Sequence, residues 1–165
     1  MRKILAIAFG AFATALPSIA MAEPPSEHRE SAFNIQGDPI DSIEIYKIPR
    51  YLSTITPIMP KEIILHTHLH CIFSKDTEEF RIFLSEISHT TYYRNYSNGE
   101  FHWQIEFRNH SGDVIHRLYS GPFYDNVTFV NAIWDGKNIT IENRFLRWAE
   151  DYVNAESGSC EDQNP

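Results

Sequence analysis

Glu100-Phe101-His102-Trp103-Gln104-Ile105-Glu106-Phe107-Arg108 alternates apolar and polar side chains from end to end, and its reading decides the fold. Successive side chains of a strand point to opposite faces, so Phe101, Trp103, Ile105 and Phe107 form a buried face and Glu100, His102, Gln104, Glu106 and Arg108 the other. Asn109-His110-Ser111-Gly112-Asp113 supplies a turn, and Val114, His116, Leu118 and Tyr119 begin the returning strand. A second hairpin follows, with Val127 to Ile133 and Ile139 to Ile141 flanking Asp135-Gly136, a strong turn signal.

Working outward, the N-terminal side repeats the period of two. Ser42 to Ile48 reads as a strand ended by Pro49, and His66 to Phe73 as another. Between them Thr56-Pro57 caps a short helix over about 57–65, with Pro60 in its first turn, where its missing N–H does least harm. Asp76 or Thr77 caps a longer helix that places Phe80, Phe83, Leu84 and Ile87 on one face. A third helix over about 142–153 brings Phe145, Leu146, Trp148, Ala149 and Tyr152 to one side. The expected architecture is α+β: an antiparallel sheet of about five to six strands covered by two main helices and one short helix.

The ends of the chain read differently. Residues 1–22 begin with Arg2 and Lys3, continue apolar to Ile19 and close on Ala20-Met21-Ala22, the pattern of a cleavable secretory signal in the short, Ala-rich bacterial style. Residues 23–41 hold Pro24, Pro25, Gly37 and Pro39 among charges and read as a flexible leader; 155–165 read as a flexible tail. The single domain then spans 42–154, and the expected location is the periplasm or the exterior.

Loss of the two basic residues of the signal takes the formal charge from −8 to −10. Such a body repels nucleic acid and anionic lipid and is better matched to a basic protein. Eleven Phe, eight Tyr and three Trp are too many aromatics for a disordered chain. After the signal no segment is apolar enough to span a membrane. Cys71 and Cys160 remain; in an oxidising compartment they form a bridge between the middle of the domain and the tail, or else Cys71 is a buried apolar residue and Cys160 a free thiol. Asn95, Asn109, Asn126 and Asn138 head Asn-x-Ser/Thr sequons, which in a bacterium are turn composition.

For chemistry, His66-Thr67-His68-Leu69-His70 is the sharpest local pattern. On a strand its three imidazoles share a face, and neighbouring ones could bind zinc or copper. His102 and His116, on strands paired through the 109–113 turn, could add to them. No serine stands in a nucleophile elbow, and no Gly-rich phosphate loop occurs. His70 and Cys71 point to opposite strand faces, so they make no Cys/His pair. The reading therefore leans away from an enzyme. Tyr92, Tyr93 and Tyr96, set among Arg, Asn, Ser and Gly, resemble the chemistry of binding surfaces, and Tyr119 and Tyr124 lie in a second aromatic cluster. The function expected first is an exported acidic protein that works by protein–protein contact, as an inhibitor or an immunity-type antidote. A periplasmic metal-binding protein using His66, His68 and His70 is the alternative.

Overall fold

The computed structural model describes residues 29–30, 33, 35, 37–49, 57–94, 99–155 and 160–162. The signal assigned to 1–22 and the binding residue Tyr96 lie outside them. The elements run β1 (Arg29–Glu30), β2 (Ser42–Lys47), a 3-10 helix (Pro60–His66), β3 (Leu69–Ser74), α1 (Glu78–His89), β4 (Tyr92–Arg94), β5 (Trp103–Arg108), β6 (Val114–Ser120), β7 (Phe129–Trp134), β8 (Lys137–Glu142), α2 (Asn143–Ala155) and β9 (Cys160–Asp162).

Among the described residues all the strands join one antiparallel sheet in the order β1-β4-β8-β7-β6-β5-β2-β3-β9. The α+β class and the three helices agree with the sequence. The strand number does not: among the described residues, eight strands of three or more residues and the two-residue β1 replace the expected five to six. The additions are β1, β4 and β9, each too short to show a period, so alternation could not have found them.

Turn chemistry closes the hairpins as expected. Asp135 and Gly136 both take positive φ, 46° and 77°, the conformation of a two-residue turn that matches strand twist. At the preceding hairpin, Asn109 Oδ1 accepts from the backbone N–H of Ser111 and of Asp113, and Gly112 carries the left-handed residue. Thr77 is the cap of α1; its Oγ1 accepts from the Phe80 N–H.

One face of the sheet builds the core. Ile43 and Ile45 of β2, Cys71 and Phe73 of β3, Trp103, Ile105 and Phe107 of β5, Leu118 of β6, Val130 and Ala132 of β7, and Ile139 and Ile141 of β8 pack with Phe80, Phe83 and Ile87 of α1 and Phe145, Leu146, Ala149 and Val153 of α2. Both α-helices therefore lie on the same face. Each of the large side chains so buried contributes about 1.5 to 3 kcal/mol.

Described residues within the segments read as leader (23–41) and tail (155–165) join this fold. Phe33, Ile35 and Ile40 are buried in the core, and β1 pairs with β4. At the other end Cys160 is bridged to Cys71, its partner in the β3–β9 register. The two short strands cover the outer edges of β4 and β3, which would otherwise present unpaired backbone.

Candidate functional site

The second face of the sheet carries neither α-helix, and its residues come from the positions that alternate with the core. Part of it is closed by the segment around the 3-10 helix: Ile58 and Ile63 pack on Ile48 and Phe101, with Tyr46, Tyr119 and Ile133 at the margin. Beside this cover lies a network of charges built on β2, β3, β5 and β6. The strand register sets Glu44 directly opposite Glu106, a repulsive placement for two carboxylates.

Two arginines resolve it. Arg108 Nε lies 2.5 Å from Glu44 Oε2 while its terminal nitrogen Nη2 bonds Glu106 Oε2. Arg117 approaches the other oxygen of Glu106 from Nε at 2.8 Å and Nη2 at 2.6 Å. Gln104 Nε2 donates to the same Oε1 at 2.8 Å. Glu106 is only 2% exposed, so each of these donors replaces water it has lost. His70 donates from Nε2 to Glu44 Oε1 at 2.9 Å and stacks on Tyr46 with ring centroids 4.6 Å apart.

The electrostatics of the network run away from neutrality. At Glu44 burial opposes ionisation, but hydrogen bonds from Tyr46 and His70 and the charge of Arg108 outweigh it and hold the carboxyl below its ordinary value. Burial, the hydrogen bond to Glu44 and the charges of Glu44 and Glu106 push the Tyr46 phenol up to about 12. General acid–base catalysis near pH 7 wants the reverse, a raised carboxyl or a lowered phenol. The arrangement suits a rigid, charge-balanced platform better than proton transfer at these two groups.

Around the network stand side chains that meet solvent. Ile72, registered with Glu44, is 51% exposed. Tyr119 is half-buried against Phe101 with the Arg117 guanidinium over its ring at 6.0 Å. Toward the far edge Tyr93 meets Phe129 edge-on at 4.9 Å, and Phe129 is 37% exposed.

The tyrosines singled out from sequence are thus divided. Tyr93 and Tyr119 share the second face, on β4 and β6, with β8 and β7 between them. Tyr92 turns to the core face, where its ring lies 4.8 Å from Phe33. Tyr124 is exposed in the loop before β7, held through its backbone by Asn143, whose Oδ1 accepts from its N–H and whose Nδ2 donates to its carbonyl. Sequence reasoning missed Phe129 and Arg117; the alternation of 127–133 was the available signal for Phe129, whereas the Glu106 pairing of Arg117 depends on register.

The expected metal geometry is corrected in one respect: His66, His68 and His70 do not lie on one strand. His66 ends the 3-10 helix, His68 falls in the bend after it, and β3 begins at Leu69. The helix persists to His66 because Ile63 is fully buried and Thr67 Oγ1 donates back to its carbonyl. His102 and His116 also stay apart: His116 is registered with Phe107, while His102 is buried with Nε2 3.2 Å from Glu100 Oε1. Among the described residues no group of three or more His, Cys, Asp or Glu side chains is placed to hold a metal ion. Nor is any described helix long and apolar enough to cross a membrane.

No family model, no curated protein and no solved structure matches this chain.

Proposed function

We propose that this chain is an exported, non-enzymatic binding protein that acts by contact with another protein, as an inhibitor or an immunity-type antidote, and that its contact surface is the second face of the sheet. The observation that carries the reading is the one-sided placement of the helices. Both serve the core face, while the opposite face presents Tyr93, Phe129, Tyr119, Arg117 and Ile72 beside an internally neutralised charge network. Rigid aromatic and arginine side chains supply contact energy at low entropic cost. The network keeps the strands in register without presenting unpaired charge to a partner. A formal charge of −8 for the chain, −10 after loss of a signal, favours encounter with a basic partner. The Cys71–Cys160 bridge suits an oxidising compartment.

The test is affinity capture of envelope and secreted proteins, and of the products of adjacent reading frames, on the immobilised mature protein. Capture of a partner by the wild type, lost in Phe129→Asp and Tyr119→Ala and retained in Ile82→Asp on the surface of α1, is the expected result. No capture, or equal loss in the Ile82 variant, removes the reading.

A further inference from the structure

The segment before β2 behaves as a strap across the core face. From β1, the edge strand paired with β4, the chain runs to Phe33, which reaches Trp134 of β7 with ring centroids 4.8 Å apart. Ile35 and Ile40 are buried, and the Asp41 N–H donates to the Arg108 carbonyl of β5 at 2.7 Å. Midway along this path stands His116 of β6. Its Nε2 is 3.0 Å from Asp38 Oδ2 of the strap and its Nδ1 is 2.8 Å from Asp135 Oδ2 of the β7–β8 turn. The ring lies nearly flat on Trp134, centroids 5.0 Å apart at 18°.

We propose that His116 is a proton-operated buckle for this strap: its imidazolium ties Asp38 to Asp135, and loss of the proton releases one of the two carboxylates. A neutral imidazole has a single N–H and donates once, so both contacts together require the cation. Asp135 is the better placed to keep the remaining bond. Its other oxygen accepts from the Arg117 N–H at 2.8 Å, whereas Asp38 sits on the strap itself. The face of Trp134 adds a favourable surface for the charge.

The charged surroundings of His116 support this assignment. Asp38 and Asp135 are the carboxylates that contact it. Neighbouring Arg117 sends its guanidinium to Glu106 on the second face, β5 presents Phe107 opposite, and the cation on β8 next to the turn is the exposed Lys137. Further along the strap, Asp41 pairs with Lys75 and lies 3.6 Å from the exposed His110. Burial alone disfavours the imidazolium, but hydrogen bonds to Asp135 and Asp38 and their charges outweigh it and raise the His116 pKa above its ordinary value. The clasp is therefore complete below a pH of about 6.5 and is lost as pH rises through the raised value.

The test follows His116 by imidazole NMR in the wild-type protein from about pH 5.5 to about pH 9, alongside exchange protection of the Asp41 amide corrected for intrinsic rate. Expected is titration above 6.5, with protection falling in step by about tenfold for each unit of that elevation. In Asp38→Asn the His116 titration should move down toward 6.5 and the matching fall in protection should disappear; His110→Asn should leave both unchanged. Protection that stays flat through the His116 titration, an ordinary His116 titration, or a fall that persists in both Asp38→Asn and His116→Gln would overturn the proposal.

Discussion

Lys47 shows how one residue can contradict its strand position and still be stable. It occupies a core-face site on β2, yet its Nζ meets Glu150 Oε1 at 2.6 Å and Asn154 Oδ1 at 3.2 Å on α2, and lies 5.4 Å from the Trp103 ring centroid. Removing one partner of such a pair leaves a charge that water cannot fully reach. Because both side chains keep some solvent contact, Glu150→Ala should cost about 2 kcal/mol rather than the larger loss of a dry pair. Lys47→Met combined with Glu150→Leu, which keeps the bulk and removes both charges, should stay within about 1 kcal/mol of the wild type. Urea unfolding of the two variants checks both values. Glu44 gives a pH prediction of the opposite sense to that of His116. Its folded pKa is depressed, so its contribution is present above the unfolded value of 4.5 and lost as pH falls through the folded value. Glu44→Gln should therefore flatten the acid limb of the stability–pH curve; an unchanged limb would show that the hydrogen bonds from Tyr46 and His70 do not favour ionisation.

Among the elements, β9 tests the role of the bridge. Its three residues pair with β3, and the disulfide closes a sequence separation of 89. A three-residue strand has little pairing of its own to hold it. Cys160→Ser should lower stability by about 2 to 4 kcal/mol through the freed unfolded chain. Amide exchange at His70, whose register partner is Glu161 of β9, should rise as the β3 edge is uncovered, and unchanged exchange there would mean that β9 holds without the bridge. Legibility from sequence followed element length. The β5–β6 hairpin, the Asp135-Gly136 turn and α1 were readable because several residues repeat one period or one cap. The strap was not: Phe33, Ile35 and Ile40 are sparse apolar residues among Pro, Gly and charges, and the flanking composition dominated the reading. His66-Thr67-His68-Leu69-His70 failed for a related reason, since alternation within five residues cannot reveal that a helix ends inside them. The charge network lay outside sequence reasoning altogether, because Glu44 and Glu106 meet only through β2–β5 register.

At the scale of the molecule, the sheet divides labour between its faces. One face is spent on the core with α1, α2 and the strap; the other combines partial cover, paired charge and exposed rings. That division is the basis for assigning contact with a partner to the second face, and it was only half legible. Alternation showed that strands have two faces, but not that both helices would choose the same one. The most direct measurement places a photo-activatable phenylalanine analogue at Phe129, at Tyr119, or at Ile82 on α1, in cells that express the full chain. The account predicts covalent adducts with another protein from positions 129 and 119 and none from position 82. Adducts from position 82 alone, or none from the second face, would contradict it.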